Sequence, residues 1–402
     1  MKLVYLHQYF KFPNENGGTR SYDLAKRFIK KGIKVIILTT SSDIKYSGKR
    51  WTEIMQDGIE VHYLYLPYDN SFGIVKRISA FMKFLILSFF HLSKIKCDLV
   101  LATSTPLTIG IPALLKKWKD NTPFIFETRD VWPEAVVAIG AIRNKIVIKL
   151  LYKLEYIIYK NANAIVPLSV DMQASIIKRY PQFRSKTNVV VENISEIDRF
   201  NYDDSTVDFK KVLGVTPRFS VLYAGTFGQV NGIHKVVELA EFTYKIDPSV
   251  VFILIGSGAK KLEIIELAKE KKVYNKNVFI KEPISKCELP LWYNSVSMGS
   301  SFVVDIKELW VNSANKFFDT LAAARPILIN HEGWQADIIR KENIGYVLPV
   351  NIDYEVAKEF VNYTRDIDLN LNQGNKAFQL ANEYYSLDVA SEKYLNLIND
   401  IS

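Results

Sequence analysis

A lysine and an aspartate lie at the start of a predicted helix in the sequence NSANKFFD. A helix that begins near Ser313 or Ala314 leaves free backbone N–H groups beside Asn315 and Lys316, and such groups bind anions. Lys316 and Asp319 are three residues apart, so their side chains share one face of that helix. The lysine suits a phosphate and the carboxylate suits a ribose hydroxyl. The alternative is an ordinary amphipathic helix that carries a solvated Lys–Asp pair.

Loops that contain glycine follow the first predicted strand in each half of the chain. Glycine lets the backbone approach a ligand, but the first loop lacks both the G-x-G-x-x-G and the Walker pattern, so a flexible turn is the alternative. For the later glycines a tight strand-to-helix turn is an equally good explanation. In the first of these loops the candidate ligand-binding residues are Gly17, Gly18 and Thr19.

A charged loop with the sequence ETRDVWPE follows another predicted strand, and it contains Arg129 and Asp130. Ligands of parallel sheets bind at the carboxyl ends of the strands, where this loop lies. A guanidinium group and carboxylates can hold sugar hydroxyls at such an edge. The alternative is a loop closed by its own salt bridges.

Strand and helix patterns alternate along both halves of the chain. Each short apolar strand follows a helical pattern, which predicts an α/β fold with one doubly wound parallel sheet in each half. A length of 402 residues suits two domains of about 200 residues each. We expect the first domain at residues 1–196 and the second at residues 197–386, with a further helix at 387–402.

Composition and charge exclude several classes of protein. With 48% hydrophobic and 24% charged residues the chain is globular, and Cys97 and Cys287 lack the spacing of a disulfide framework or a zinc site. The first residues read as a strand and not as a signal peptide, so we expect a cytoplasmic protein. The net charge is +13 for residues 1–196 and −4 for residues 197–402.

Two basic helical segments lie in the positively charged half. Residues 74–95 contain an apolar stripe with basic residues at both ends, and Lys83 interrupts the segment too much for it to cross a membrane. Residues 143–160 repeat Lys145, Lys149 and Lys153 at four-residue spacing, which makes one cationic stripe beside isoleucine and leucine. The first segment is either a core helix or an interfacial helix, and the second suits anionic lipid headgroups.

These motifs together resemble glycosyltransferase family 4, and especially the L-fucosamine-transferase-like branch that builds bacterial O-antigen and capsule repeats. That branch carries a Ser-x-Asn-Lys-hydrophobic-Phe-Asp/Glu run before a small-residue Pro segment, which matches residues 313–319 and 322–326 here. It also carries an Arg-Asp-hydrophobic-Trp-Pro-Glu run, which matches residues 129–134. The resemblance implies the GT-B architecture of two Rossmann-like domains facing a cleft, with the last helix returning to the first domain.

The resemblance also implies a function. A nucleotide sugar, expected to be UDP-linked, would bind the second domain, and a sugar on polyprenyl diphosphate would dock on the first. Family members retain the anomeric configuration, use the leaving diphosphate to accept the acceptor proton, and require no metal or other cofactor. The implied catalytic residues are Arg129, Asp130 and Lys316. The implied donor-binding residues are Gly17, Gly18, Thr19, Thr226, Gly256, Glu282, Ser313, Ala314, Asn315, Lys316 and Asp319.

This chain departs from the family pattern at three places. The family has paired glutamates eight residues apart, and here Asp319 takes the second place while Val311 stands at the first. Thr226 stands near the position where many members hold the diphosphate with arginine and lysine, and Arg129 stands where many have histidine. We therefore expect Lys316 and helix N-termini to neutralise more of the diphosphate charge.

Two other functions remain open at the level of sequence. A UDP-sugar 2-epimerase shares the two-domain architecture, and a catalytically silent subunit would explain the missing glutamate. Nucleic-acid binding is not expected, because the basic half lacks a recognised binding motif. The expected partners are a nucleotide sugar, a lipid-linked saccharide and the anionic inner face of the cytoplasmic membrane, with Lys145, Lys149 and Lys153 at the membrane surface.

Overall fold

The computed structural model describes residues 1–67, 74–104, 106–200 and 205–401. Within these residues the strands form two sheets, one in each half of the chain. Helices lie between successive parallel strands, as right-handed crossovers require. The predicted α/β fold with two parallel-sheet domains is confirmed.

The first sheet contains seven strands within the described residues, in the order β3-β4-β2-β1-β5-β6-β7. Every pairing is parallel except that of β3 with β4, which form a hairpin at the edge. The inner strands are fully buried runs of large apolar residues, typical of a parallel sheet covered on both faces. The strands are β1 (Lys2–Leu6), β2 (Lys34–Ser41), β3 (Trp51–Gln56), β4 (Ile59–Tyr65), β5 (Leu99–Thr103), β6 (Phe124–Thr128) and β7 (Ala164–Pro167).

The helices around this sheet begin at residues that cap them. The side chain of Asn144 accepts hydrogen bonds from the first-turn N–H groups of one helix, and Ser169 does the same for the next. The helices are α1 (Arg20–Lys30), α2 (Ile74–Leu92), α3 (Gly110–Asp120), α4 (Glu134–Ala138), α5 (Lys145–Asn161), α6 (Val170–Arg179) and α7 (Ile197–Phe200).

The second sheet contains six parallel strands within the described residues, in the order β10-β9-β8-β11-β12-β13. The strands are β8 (Phe219–Ala224), β9 (Val250–Ile255), β10 (Val278–Lys281), β11 (Met298–Ser301), β12 (Ile327–Ile329) and β13 (Gly345–Val347). The helices are α8 (Phe209–Leu213), α9 (Ile233–Ile246), α10 (Lys261–Glu270), α11 (Leu289–Ser295), α12 (Lys307–Trp310), α13 (Asn315–Ala322), α14 (Trp334–Glu342), α15 (Tyr354–Tyr363), α16 (Ile367–Leu380) and α17 (Leu387–Ile401).

The last helix, α17, packs on the core of the first domain. Its buried face contributes Tyr394 and Ile398 to the same apolar cluster as Leu3 and Phe28. The Tyr394 hydroxyl donates a hydrogen bond of 2.5 Å to Oε1 of Glu127, which lies at the end of β6. The chain therefore crosses from the second domain back to the first.

Most predicted strands and helices lie within about two residues of the observed ones, but the hairpin of β3 and β4 was missed in part. The alternating apolar pattern of residues 59–66 predicts β4, whereas no prediction covers β3. The turn between them is Asp57-Gly58, and both residues have positive φ angles, 53° and 80°. An Asp-Gly pair between two alternating segments is a strong hairpin signal, so the sequence contained the information. The predicted boundary at residue 196 lies between β7 and β8 and stays a prediction.

Candidate active site

A cavity of about 310 Å³ lies between the two domains. One wall is the loop after β1, and the opposite wall combines the loops after β8, β9 and β10 with the start of α13. All of these loops follow the carboxyl ends of parallel strands, where α/β sheets bind ligands. The cavity brings together the predicted residues Gly17, Gly18, Thr226, Gly256, Asn315, Lys316 and Asp319.

Two glycines let the loops of the second domain approach each other. A Cβ atom on Gly256 would lie 1.8 Å from the carbonyl oxygen of Gly225, so a larger residue cannot fit there. A Cβ atom on Gly225 would lie 3.1 Å from Nζ of Lys316. Backbone packing alone therefore accounts for Gly256, and a contact with a ligand stays a prediction.

Lys316 lies in the first turn of α13, with its side chain directed between the loops. Its Nζ atom is 4.9 Å from the ring centroid of Tyr223, a cation–π contact. Burial lowers the pKa of Lys316 to about 8, although the charge of Asp319 partly opposes this. No carboxylate within the described residues forms a salt bridge with it. A partly buried cation of this kind is poised to bind an anion, and a diphosphate would also meet the N-terminus of α13.

Asp319 is partnered inside the protein. Its Oδ1 atom lies 2.5 Å from Nζ of Lys286, and both side chains are almost fully buried. Burial lowers the pKa of Lys286, but the charges of Asp319 and Glu196 outweigh burial and hold it above the usual value. If Asp319 binds a ribose as predicted, its carboxylate must contact both the ribose and Lys286. No signal in the sequence assigned Lys286 to the site.

The Lys286–Asp319 pair continues into a buried charged cluster between the domains. Glu196 lies 3.8 Å from Lys286, and Arg199 contacts both Glu196 and Asp23 of α1. Burial raises the pKa of Glu196 to about 8, and the nearby charge of Asp23 adds to this. The charges of Lys286 and Arg199 act in the opposite direction and lower the pKa of Glu196, so the cations of the cluster offset part of the cost of burying this carboxylate.

Thr19 and Ser313, both predicted to bind the donor, lie in hydrogen bonds between distant segments. The Thr19 hydroxyl donates to Oε1 of Glu196 at 3.1 Å. The Ser313 hydroxyl accepts from the backbone N–H of Asn193 at 3.1 Å, and Ala314 next to it caps α13 with extended backbone. These contacts position the cavity walls. A direct contact of either side chain with a ligand stays a prediction.

Glu282, the remaining donor candidate, lies outside the residues that line the cavity. Its side chain is 83% exposed and forms a salt bridge with Lys261 at 2.6 Å. The neighbouring Pro283 and Ile284 line the cavity instead. The structure thus gives no support to a donor contact through the Glu282 carboxylate.

Arg129 and Asp130 follow β6 in the first domain, at the same sheet edge as His7. The Arg129 backbone N–H donates to Ser104 Oγ at 2.8 Å. Burial and, to a smaller extent, the charge of Arg129 lower the pKa of His7 to about 3, so His7 is neutral. The sequence reasoning missed His7, although its position directly after the first strand was a usable signal.

A second and larger cavity lies at the carboxyl ends of β1, β2 and β4. Its volume is about 460 Å³. The rings of Tyr46 and Tyr63 stack there at 4.4 Å, and Lys45 lies over the Tyr46 ring. Flat aromatic surfaces beside polar groups suit a saccharide.

The three predicted membrane-contacting lysines lie on α5 and are exposed. Apolar side chains of the same helix are exposed beside them, with Ile146 71% and Leu150 60% exposed. On α2, Phe84, Leu85 and Leu92 are buried, as the core interpretation requires, while Met82, Ile86 and Phe90 are exposed. No helix in the described part of the chain is long and apolar enough to cross a membrane.

Comparison with known proteins agrees with this fold. Residues 17–193 match the family model for a glycosyl transferase 4-like domain. A curated relative, the probable glycosyltransferase WbjE of Pseudomonas aeruginosa, is 22% identical over 74% of this chain and 73% of its own length. Spore coat protein SA of Bacillus subtilis is 23% identical over 50% of this chain and 55% of its own length.

Solved structures resemble the chain over its whole length. Sucrose-phosphate synthase from Thermosynechococcus elongatus has a TM-score of 0.76 at 14% identity, covering 100% of this chain and 98% of the other. HepE from Anabaena, solved in complex with UDP and glucose, has a TM-score of 0.72 at 13% identity, covering 100% of both chains. The GT-B architecture is thereby confirmed, and the first domain is similar to glycosyl transferase 4-like domains.

Proposed function

We propose that the protein moves a sugar from a UDP-sugar to a saccharide carried on polyprenyl diphosphate. The proposed setting is the inner face of the cytoplasmic membrane, in the synthesis of O-antigen, capsule or another surface polysaccharide. Transfer proceeds with retention of the anomeric configuration and requires neither a metal ion nor another cofactor. The observation that carries the proposal is Lys316, a partly buried cation without a carboxylate salt bridge within the described residues, which lies in the interdomain cavity at the start of a helix.

Lys316 is the residue that stabilises the leaving diphosphate in this proposal. Negative charge develops on the diphosphate as the bond to the sugar breaks, and a fixed cation in a partly dehydrated site stabilises that charge strongly. The N–H groups at the start of α13 add to the effect. Thr226 offers hydrogen bonds and no charge, so Lys316 carries the larger part of the electrostatic work. A UDP complex of the similar HepE fold supports the choice of nucleotide.

The acceptor belongs to the first domain in this proposal. The cavity with stacked Tyr46 and Tyr63 suits a sugar ring, and Arg129 with Asp130 lies at the same edge of the sheet. A polyprenyl chain keeps its acceptor at the bilayer, so the enzyme must work at the membrane surface. The exposed face of α5, with three lysines beside Ile146 and Leu150, suits anionic lipid because it joins positive charge to apolar side chains.

Product analysis tests the proposed reaction. Purified full-length protein, treated with EDTA, is incubated with each of several UDP-sugars and a polyprenyl-diphosphate saccharide, and UDP release is followed. We expect release that depends on the acceptor, is unchanged by added Mg²⁺ or Mn²⁺, and yields a product with the donor's anomeric configuration. UDP release with isomerised free sugar would favour the 2-epimerase, and inactivity with every donor would favour the silent subunit.

Sedimentation with liposomes tests the membrane partner. Basic residues near an anionic surface contribute about 1 kcal/mol each, and salt screens this attraction. We expect the protein to sediment with anionic vesicles at low salt and not with neutral ones. Replacing Lys145, Lys149 and Lys153 by glutamate should abolish sedimentation. The matched control replaces three exposed lysines of the second domain by glutamate, Lys210, Lys211 and Lys272, and should bind like wild type. An equal loss of sedimentation in both variants would show that the net charge of the protein, and not the surface of α5, causes the binding.

A further inference from the structure

Two of the protein's five histidines meet at the outer edge of the first sheet, away from the cavity described above. His62 lies on β4 and His91 lies near the end of α2. Their ring atoms Nδ1 and Nε2 are 2.7 Å apart. Glu53 of β3 is the direct cross-strand partner of His62, so both side chains lie on one face of the hairpin.

We propose that Glu53, His62 and His91 bind one divalent transition-metal ion, of the Zn²⁺ class, which links the hairpin of β3 and β4 to α2. One ligand atom from each of the three side chains lies within 4.8 Å of the other two. Oε1 of Glu53 is 3.9 Å from Nδ1 of His62. Since zinc lies about 2.0 to 2.2 Å from nitrogen and oxygen ligands, one ion fits between groups at this spacing.

A fourth residue orients the buried histidine toward the site. Oε1 of Glu60 lies 2.8 Å from Nε2 of His62, so it accepts a hydrogen bond from Nε2–H and leaves the Nδ1 lone pair facing His91 and Glu53. A carboxylate that holds the outer nitrogen of a histidine is the usual support of a metal ligand. The ring of His91 is held by stacking on Trp51, with centroids 4.3 Å apart and planes 10° apart.

The metal would replace the proton that the two histidines share. Two imidazole nitrogens on one tetrahedral zinc ion are about 3.3 Å apart, given the usual bond lengths, so the rings must separate by roughly half an ångström. His91 lies next to Leu92, the last residue of α2, and the Glu53 side chain is 59% exposed. Small movements of these two side chains complete the site, with water in the fourth position.

The donor set decides the class of ion. Two imidazole nitrogens and one carboxylate oxygen favour zinc and its neighbours, whereas Mg²⁺ and Ca²⁺ prefer oxygen ligands throughout. None of the three residues lines the interdomain cavity, so the ion is structural and takes no part in sugar transfer. An ion that binds only the folded chain raises the melting temperature, by roughly 3 °C at a hundredfold excess over Kd.

Metal titration tests the site. EDTA-treated full-length protein is titrated with Zn²⁺ against a chromophoric chelator, and with Co²⁺ to record the absorption of a tetrahedral site. We expect one ion per chain and a raised melting temperature. His91→Gln and Glu53→Gln should weaken binding at least tenfold and remove the Co²⁺ spectrum, and Glu60→Gln should weaken binding about tenfold or more.

The control is His234→Gln, which removes a histidine on α9 and should bind Zn²⁺ like wild type. Circular dichroism checks that each variant folds. If His91→Gln does not fold, the test rests on Glu53→Gln. The Glu53 side chain is exposed, so its replacement should leave the fold intact. The proposal is overturned if wild type binds no stoichiometric Zn²⁺, or if Glu53→Gln binds Zn²⁺ as wild type does. In that case the two histidines form a hydrogen bond and nothing more.

Discussion

Lys286 and Lys316 line the same cavity, yet their surroundings differ. Lys286 lies 2.5 Å from Asp319 and 3.8 Å from Glu196, and the neighbouring charges raise its pKa. Lys316 faces the ring of Tyr223 without a carboxylate salt bridge within the described residues, and burial lowers its pKa to about 8. The first lysine neutralises charges of the protein itself, and the second is left to neutralise a ligand. The comparison shows that, of two lysines in one cavity, the one without a carboxylate partner in the free protein is the better candidate for binding an anionic ligand.

The largest expected effect is on the free energy of unfolding, which should fall when Lys286 is replaced and change far less when Lys316 is replaced. Lys286→Met should destabilise the fold by about 3 to 5 kcal/mol, because it leaves Asp319 as an unpaired buried charge. Lys316→Met, the same chemical change at the other lysine, should alter stability far less or raise it. Urea unfolding of both variants measures the difference. Equal destabilisation would contradict the contrast between the two environments.

For catalytic activity the order should be reversed, with Lys316 the more important of the two lysines. Lys316→Ala should lower kcat/KM roughly 10²-fold or more with the fold intact, because it removes the cation that stabilises the leaving diphosphate. Steady-state UDP release with the best donor measures this, with the melting temperature as the folding check. Kinetics like those of wild type would exclude Lys316 from catalysis.

Binding of the ribose should depend on the Asp319 carboxylate. If it accepts a hydrogen bond from the ribose 2′-hydroxyl, wild type should bind UDP at least about tenfold more tightly than 2′-deoxy-UDP, since hydrogen bonds to charged groups contribute about 1.5 to 3 kcal/mol. The double variant Lys286→Met/Asp319→Ala removes the carboxylate without leaving a buried unpaired lysine. Calorimetry should then give similar affinities for both nucleotides. A preference for UDP that survives in this variant would assign the ribose to another residue.

The smallest effect is a proton taken up when UDP binds. At pH 8 about half of the free protein carries neutral Lys316, because its pKa is about 8. A bound diphosphate favours the charged form, so binding should take up roughly half a proton per UDP and weaken as the pH rises above 8. Calorimetry in two buffers of different ionisation enthalpy measures the uptake. Lys316→Arg stays charged and should show none, so equal uptake in both proteins would point to a different group.

Several features of the site were predicted from sequence because their causes are local. The start of α13 follows from a polar segment before an apolar stripe, and the observed helix begins at Asn315 as expected. The glycine loops, the paired sheets and the exposed lysines of α5 follow from the spacing of residues in the same way. The Asp57-Gly58 turn is an equally local signal for the hairpin, although no prediction covers β3.

Other features needed partners that lie far apart in the chain. Thr19 donates a hydrogen bond to Glu196, 177 residues away in the sequence, and nothing in the local pattern around Thr19 indicates this contact. His62 and His91 are 29 residues apart and belong to a strand and a helix, with no motif that joins them. No spacing rule covers such pairs, because their distance depends on how β4 and α2 pack.

By itself, the sequence determined the two α/β domains, the place of the cavity at the strand ends, and the presence of a lysine and an aspartate at the start of α13. Those properties depend on periodicity and on the geometry of single elements. Only the tertiary structure decided that Asp319 is paired with Lys286 while Lys316 faces Tyr223. The charge state of a buried group depends on its desolvation and on every charge around it, and these are properties of the packed molecule.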